Sequence, residues 1–320
     1  MRSILGFALI AACAHGTAVF AQAYPSKPVR LVIAAAPGGG TDVLGRVFAQ
    51  RLSERFGQPF IADNRGGGGG SIAADAVVKS PADGYTLLMT NDQLVANASF
   101  AGKQTYDVVR DLAPVGLMGR TPIVLGVNPN VPANSVSELV ALIRANPGKY
   151  AFSSCGNGTP LHLAGELLNL SAKLDLAHIA YRGCAPALVD AVSGQVPLFF
   201  NMLGNALPFE KGGKVKLLGV ASAQRLQGFP QLATIAEAGY PAFEAFPWYG
   251  ILAPAGTPRE LIARLNAEIT AGVAAPEISD KLRSMQFVPF TSTPEQFADI
   301  VRTDLARWTH LVREAKLKAE

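Results

Sequence analysis

The sequence predicts an α/β protein in two domains, with mostly parallel sheet covered by helices. Strand-like runs alternate with helix-like runs along the chain, the pattern that folds into strand–helix–strand units. Glycine-rich loops punctuate the passage from strand to helix at 37–42, 64–71, 154–159 and 181–185. A chain of 320 residues, 49% hydrophobic and 16% charged, has a globular composition. At ~100–200 residues per domain, that length suggests two.

The first 23 residues read as a separate object. Arg2 supplies a positive start, residues 4–10 begin an apolar stretch, and Ala21-Gln22-Ala23 forms a small-x-small cleavage site. His15 and Gly16 interrupt the apolar stretch, which is too short to remain as a membrane anchor. The expectation is a signal peptide over 1–23, cut between Ala23 and Tyr24, and a mature protein outside the cytoplasm. Ile10-Ala11-Ala12-Cys13 also resembles a lipoprotein processing box, and the intact Ala-x-Ala site before the first strand stands against it. A formal net charge of +4, reduced by one when Arg2 leaves, with no long basic run, excludes a nucleic-acid footprint. Cys155 and Cys184 survive cleavage. In an oxidising compartment the pair suggests a disulfide, with two separate buried thiols as the alternative.

Taken in order, residues 29–34 are β-rich and lead into Pro37-Gly38-Gly39-Gly40. Apolar positions 43, 44, 47, 48, 52 and 56 then fall on one helical face, stopped by Gly57. Residues 60–62 run into Asn64-Arg65 and five glycines, followed by a helix over 71–79. A strand at 85–89 follows the turn Pro81-Ala82-Asp83-Gly84. Beyond a Pro-rich stretch (Pro114, Pro122, Pro129, Pro132) the pattern resumes with a helix over 135–145 and a strand over 150–154. Thr159 caps a helix with Pro160 at its first position, running through Leu168. A strand at 178–181, a helix over 186–193 closed by Gly194, and strands at 196–200 and 216–221 follow. Thr257-Pro258-Arg259-Glu260 and Thr293-Pro294-Glu295-Gln296 both read as capping boxes opening C-terminal helices.

The glycine loops carry the functional signal. Each places free backbone N–H groups and a helix dipole where a strand ends, an arrangement that attracts an anion. Turn-making alone is the alternative for any single loop, and four of them favour binding. Gly38-Gly39-Gly40-Thr41 lacks the Gly-Lys-Ser/Thr ending of a P-loop, and Ser71 breaks a dinucleotide fingerprint. There is no Gly-x-Ser-x-Gly elbow, no His-Glu-x-x-His pair and no metal-ligand spacing among His162, His178 and His310. His178 and His310 read as structural or surface residues. His162, in the first turn after Thr159, is open between ligand contact and local packing.

These motifs in order resemble the receptor proteins of tripartite tricarboxylate transporters, the Bug family. The resemblance rests on Tyr24-Pro25-Ser26-Lys27-Pro28, Pro37-Gly38-Gly39-Gly40-Thr41-Asp42, Asn64-Arg65-Gly66 and Asp83-Gly84-Tyr85-Thr86-Leu87-Leu88. It continues through Ser154-Cys155-Gly156-Asn157-Gly158-Thr159 with His162, Tyr181-Arg182-Gly183, Trp248-Tyr249-Gly250 and 253–258. The match covers essentially all of 24–320. It implies a two-lobe type II periplasmic-binding-protein fold with a hinged interlobe cleft. Lobe 1 would be 24–121 plus 249–320 and lobe 2 would be 122–248, with crossings near Thr121-Pro122 and Phe246-Pro247-Trp248.

The resemblance further implies a periplasmic, monomeric receptor with no cofactor, no metal and no catalysis. It would take a small carboxylate and pass it to membrane transporter subunits. A sensor acting on a membrane signalling partner is the alternative function. Carried over by position, lobe 1 contributes Pro37, Gly38, Gly39, Gly40, Thr41, Asn64, Arg65, Gly66, Gly67, Thr90 and Asn91. Lobe 2 contributes Ser154, Gly158, Thr159, His162, Tyr181, Arg182 and Asn201. Thr41 and Thr159 can also cap helices, and Asp42 is expected to stabilise a helix dipole. The chain departs from the family pattern at Gln195-Val196-Pro197, where an acidic Gln-Val-Asp is common. It departs again at Asn201, where an aspartate is frequent, and Asn201 cannot supply the charge that pairs with a ligand amine. Cys155 and Cys184 each sit in a lobe 2 loop, where a disulfide would preorganise half the site.

Overall fold

The computed structural model describes residues 24–100 and 104–318. The signal-peptide and lipoprotein readings, including Cys13 and Ala23, lie outside the described residues. The elements run β1 (Val29–Ile33), α1 (Gly40–Phe56), β2 (Phe60–Asn64), α2 (Ser71–Val78), β3 (Thr86–Asn91), α3 (Gln93–Ala98), β4 (Leu112–Arg120) and β5 (Ile123–Val127). They continue α4 (Val136–Arg144), β6 (Ala151–Ser154), α5 (Pro160–Ala172), β7 (Ala177–Ala180), α6 (Cys184–Ser193), β8 (Leu198–Met202), α7 (Leu203–Lys211) and β9 (Lys216–Val220). The chain ends with β10 (Trp248–Pro254), α8 (Arg259–Ala274), α9 (Pro276–Ser284), β11 (Val288–Pro289) and α10 (Pro294–Glu314).

Two mixed sheets form, in the orders β11-β4-β10-β3-β1-β2 and β7-β6-β8-β5-β9. β1, β2 and β3 are parallel, so their carboxyl ends share one edge. β10 is antiparallel to β3 and β4 antiparallel to β10, which puts Trp248 and Arg120 on that same edge. β5 starts three residues after Arg120. Its antiparallel pairing with β8, and the parallel pairing of β6 with β8 and β7, put Met202, Ser154 and Ala180 on the edge where β5 begins. The short passage from β4 to β5 therefore turns the two sets of strand ends toward each other. A second passage, Phe246-Pro247-Trp248, runs beside it, and the Thr121 N–H donates to the Pro247 carbonyl at 2.9 Å.

Apolar packing decides which side of this junction is closed. One continuous core runs from α2, α3 and α10, through Trp248, to α4 and α5 of the second sheet. On the opposite faces the cores are separate: α1, α8 and α9 cover the first sheet, and α6 and α7 cover the second. The lobes thus share a core behind and part in front. α10 anchors the shared side, with Phe297 fully buried and meeting Trp248 edge-to-face at 4.9 Å. A Cβ on Gly250 would come within 2.6 Å of the Phe297 ring, so β10 carries glycine where α10 crosses it.

Several sequence expectations shift. α1 starts at Gly40 rather than Val43, with Gly39 at the N-cap, so Thr41 lies inside the helix and does not cap it. The Thr293 capping box forms, its hydroxyl accepting from the Gln296 N–H and the Gln296 side chain accepting from the Thr293 N–H. The Thr257 box does not. Its hydroxyl donates to the Pro254 carbonyl, and α8 opens one residue later with Pro258 at the N-cap. The Pro-rich stretch contains β4 and β5, and Pro114 falls where the β4–β10 register shifts, a place that tolerates a missing donor.

Phe297→Ala would empty the centre of the shared core. A loss of ~3–5 kcal/mol is expected, read from urea denaturation midpoints of the two proteins.

Candidate functional site

Lobe 1 presents the β1–α1 and β2–α2 loops. Pro37, Gly38, Gly39 and Gly40 are exposed, and no side chain caps α1, so its first N–H groups face the opening. Asp42 holds the loop from inside. Its carboxylate accepts from the Gly38 N–H at 2.8 Å, the Asn64 amide at 2.8 Å and the Arg46 guanidinium at 2.9 Å. Burial pushes that carboxyl upward, but the three hydrogen bonds outweigh it and hold its pKa below the ordinary aspartate value. The Asn64 side chain is wholly occupied here, also donating to the Ala35 carbonyl and accepting from Arg46.

Gly66 lies so close to β1's exit that a Cβ would meet the Ala36 nitrogen at 3.0 Å. Gly67 to Gly70 all have positive φ, 111°, 55°, 60° and 93°, a turn that only glycine adopts without strain. The Asn97 amide pins the turn by donating to the Gly68 and Gly69 carbonyls. Thr90 is buried. Asn91 donates to the Thr41 hydroxyl at 3.2 Å, tying β3's end to α1. Arg65 turns to Asp63, 3.0 Å away.

Lobe 2 answers with the ends of β6, β7 and β8. The Thr159 hydroxyl accepts from the His162 N–H and donates to the Gly156 carbonyl, capping α5 as the sequence predicts. The Gly158 N–H donates to His162 Nδ1 at 3.0 Å, and His162 is nearly buried, so this ring shapes the loop. His162 stacks on His178 at 3.9 Å, and His178 Nε2 meets the Ser154 hydroxyl at 2.7 Å. Burial, and secondarily His162, push the His178 pKa down to about 3, which keeps the His178 ring neutral. His310 lies far along α10 beside Arg313 and Glu314, on the surface.

Cys155 and Cys184 are bonded, joining β6's exit loop to the first residue of α6 across 29 positions. The Gly183 N–H donates to the Cys155 carbonyl alongside the bond. Asn201 is fully buried beneath it, donating to the Cys184 carbonyl and accepting from the Met202 N–H and the Asn205 amide. Tyr181 donates to Asp190 at 2.5 Å, and burial, reinforced by that carboxylate, raises the phenol pKa to about 12. Arg182 is exposed, and among the described residues no hydrogen bond or ion pair holds its guanidinium.

The two lobes touch where Gln93 donates to the Gly158 carbonyl at 2.8 Å. Gln93, Asn97, Asp190 and Asn205 escape a reading based on glycine motifs. The first two sit on α3, a helix of six residues too short for a periodic signal. Among the described residues no group of three or more His, Cys, Asp or Glu could hold a metal ion, and no helix is long and apolar enough to cross a membrane.

Backbone donors on two facing lobes define a solute-binding receptor of the two-lobe kind. The model of the tripartite tricarboxylate transporter family receptor matches residues 44–317, and the chain belongs to that family. It is 36% identical over 322 residues to the protein BugT of Bordetella pertussis, covering 99% of this chain and 98% of BugT. Rpa4515 of R. palustris, solved with adipate, is 34% identical with a TM-score of 0.78, covering 92% of this chain and 99% of that one. MatC (Rpa3494) of Rhodopseudomonas palustris, solved with bound malate, is 29% identical with a TM-score of 0.75, covering 90% and 100%. The family's members are periplasmic solute receptors that serve tripartite transporters, a receptor class and not an enzyme class.

Because His178 is neutral when folded but protonates near pH ~6.5 when unfolded, the unfolded chain binds the extra proton between those values. Stability is therefore lost as pH falls from ~6.5 toward about 3. His178→Gln, which keeps an acceptor for Ser154, is expected to flatten this limb by up to about one proton's worth of slope, ~1.4 kcal/mol per pH unit. Denaturation midpoints measured across that pH range check it.

Proposed function

We propose that this receptor takes a small mono- or dicarboxylate between the glycine loops of its two lobes and presents it to the membrane subunits of a tripartite transporter. The observation that carries this reading is the set of helix starts at α1, α5 and α6, on facing strand ends, with the exposed cation Arg182, unpaired among the described residues, beside them. Backbone N–H groups at helix N-termini take carboxylates without a dedicated counter-charge. The adipate and malate complexes of relatives support the ligand class. Asn201 supports a ligand without an amine, since its buried amide is engaged on both ends and offers no charge to an ammonium.

On this reading lobe 1 is 24–121 plus 249–320 and lobe 2 is 122–248. The contacts are the loop positions from Pro37 to Gly40, Gly66, Gly67, Gly158, Thr159, Tyr181 and Arg182, with Thr41, Asn64, Arg65, Thr90, Asn91, Ser154, His162 and Asn201 supporting them. The chain acts as a monomer without catalysis and without nucleic acid, after cleavage at Ala23/Tyr24 and export. The nucleophile in reach of an imidazole, Ser154, is fully buried, which supports a non-catalytic role.

A thermal-shift screen of carboxylic acids is the direct check, since a ligand at ~100 times its Kd adds ~2.7 kcal/mol of stability. Absence of stabilisation by every mono- and dicarboxylate tried would sink the proposal. Arg182→Ala is expected to weaken the best ligand by ~10-fold or more with little change in stability, because a charge-assisted hydrogen bond contributes ~1.5–3 kcal/mol. The paired change Cys155→Ser with Cys184→Ser is expected to loosen lobe 2 and weaken the same ligand. Calorimetric affinities unchanged by that double variant would remove the disulfide from the site.

A further inference from the structure

A cavity of about 590 Å³ lies in the seam between the lobes, away from the glycine loops. One wall is Gln286, Phe287 and Val288, leading into β11, and the opposite wall is Leu203 with the 222–229 loop that follows β9. Arg120 and Phe246, from the two passages between lobes, stand between them. None of the loop residues assigned to the carboxylate clamp lines this space. Phe287 forms the partition, its ring tip 3.2 Å from where a Cβ on Gly40 would stand, and Gln286 closes against Gly204 at 3.1 Å on the same criterion. The volume is that of a small-molecule site.

The chemistry of the lining is specific. The Arg120 side chain is only 16% exposed, and its guanidinium lies 5.0 Å from the ring centres of both Phe246 and Phe290. Five N–H donors in that setting call for partners, yet the contact present is a single long one, 3.4 Å to Glu244. Its Nε–H is buried and has no hydrogen-bond partner among the described residues. A guanidinium fork fixed between rings and short of acceptors is prepared for a carboxylate. Of the other arginines at the rim, Arg225 is engaged with Glu237 at 2.9 Å, and Arg283, 3.4 Å from Asp280, stands largely in solvent. Away from Arg120 the wall is largely apolar, with Leu226 and Phe229 joining Leu203 and Phe287.

The geometry points to a second ligand site here, for a monocarboxylate carried on an apolar or aromatic body, with Arg120 holding the carboxylate and the Phe and Leu wall holding the body. The site differs from the clamp in kind, because it supplies a side-chain cation and apolar surface in place of backbone donors. Its walls belong to both lobes, so a molecule bound there makes contacts that depend on their relative position and is thermodynamically linked to the clamp.

The test uses the full-length protein and 3-phenylpropionate as the probe, titrated calorimetrically, with the uncharged 3-phenylpropanol as comparison. Gly228 lines the cavity and has nothing within 4 Å of an added Cβ, so Gly228→Trp is the variant chosen to occlude the space. Expected are saturable binding of 3-phenylpropionate, ~10-fold or more weaker binding of the alcohol, and a loss of similar size in Gly228→Trp and Arg120→Gln. Arg182→Ala should leave the probe's affinity unchanged, and Gly228→Trp should still be stabilised by clamp ligands, which shows that it folds with the clamp intact. Ala223→Trp, at an exposed position on the same lining, repeats the occlusion should the first variant fold poorly. The proposal is overturned if the probe shows no saturable binding up to ~10 mM, if the occluding variants bind it normally, or if Arg182→Ala abolishes its binding.

Discussion

Trp248 is the residue on which the two-lobe arrangement depends. It follows the second passage between lobes, pairs with Arg120 across β4 and accepts the Asp92 N–H through its carbonyl. Its indole is fully buried, donates to Asp304 at 3.0 Å and meets Phe297 edge-on. Burial raises the pKa of Asp304 and of Asp92 nearby, while Arg120 and Arg307 pull the other way. A chain that must cross twice between two sheets needs a fixed point where both crossings meet, and this cluster supplies it. Everything in front is positioned from there: the strand ends face each other because the crossings are short and locked together.

The two halves of the opening are organised by different physics. In lobe 1 the loops are held by one buried carboxylate, Asp42, which gathers Gly38, Arg46 and Asn64. In lobe 2 a covalent bond, the stacked rings of His162 and His178 and the buried Asn201 do the equivalent work. In both, most polar side chains of the loops are engaged within their own lobe, Arg182 being the exception. Asn64, His162 and Asn201, carried over from the family pattern, are among those so engaged.

The order of strands and helices, the glycine loops and the Thr159 and Thr293 caps were legible in the sequence because each is a local signal. A glycine run, a Thr-Pro pair or a 3.6-residue period needs no distant partner to be recognised. What escaped depends on distant partners. β4 was hidden because Pro114 reads as a breaker until β10 is seen to shift its register there. The Thr257 box failed because the Pro254 carbonyl captures its hydroxyl first. The role of Arg120 was invisible, since an arginine between two phenylalanines some 126 and 170 positions downstream in a folded seam leaves no mark on its neighbours in sequence.

The bond between Cys155 and Cys184 has a bearing on how the molecule opens. It turns β6's exit loop, α5 and β7 into a covalent ring, and closing a ring of that size removes ~3–4 kcal/mol of freedom from the unfolded chain. Partial unfolding follows the least restrained segments, and this ring withdraws lobe 2's binding edge from their number. The loops around Asp42 in lobe 1 are held by hydrogen bonds instead, so the two sides of the opening differ in how firmly they are tied.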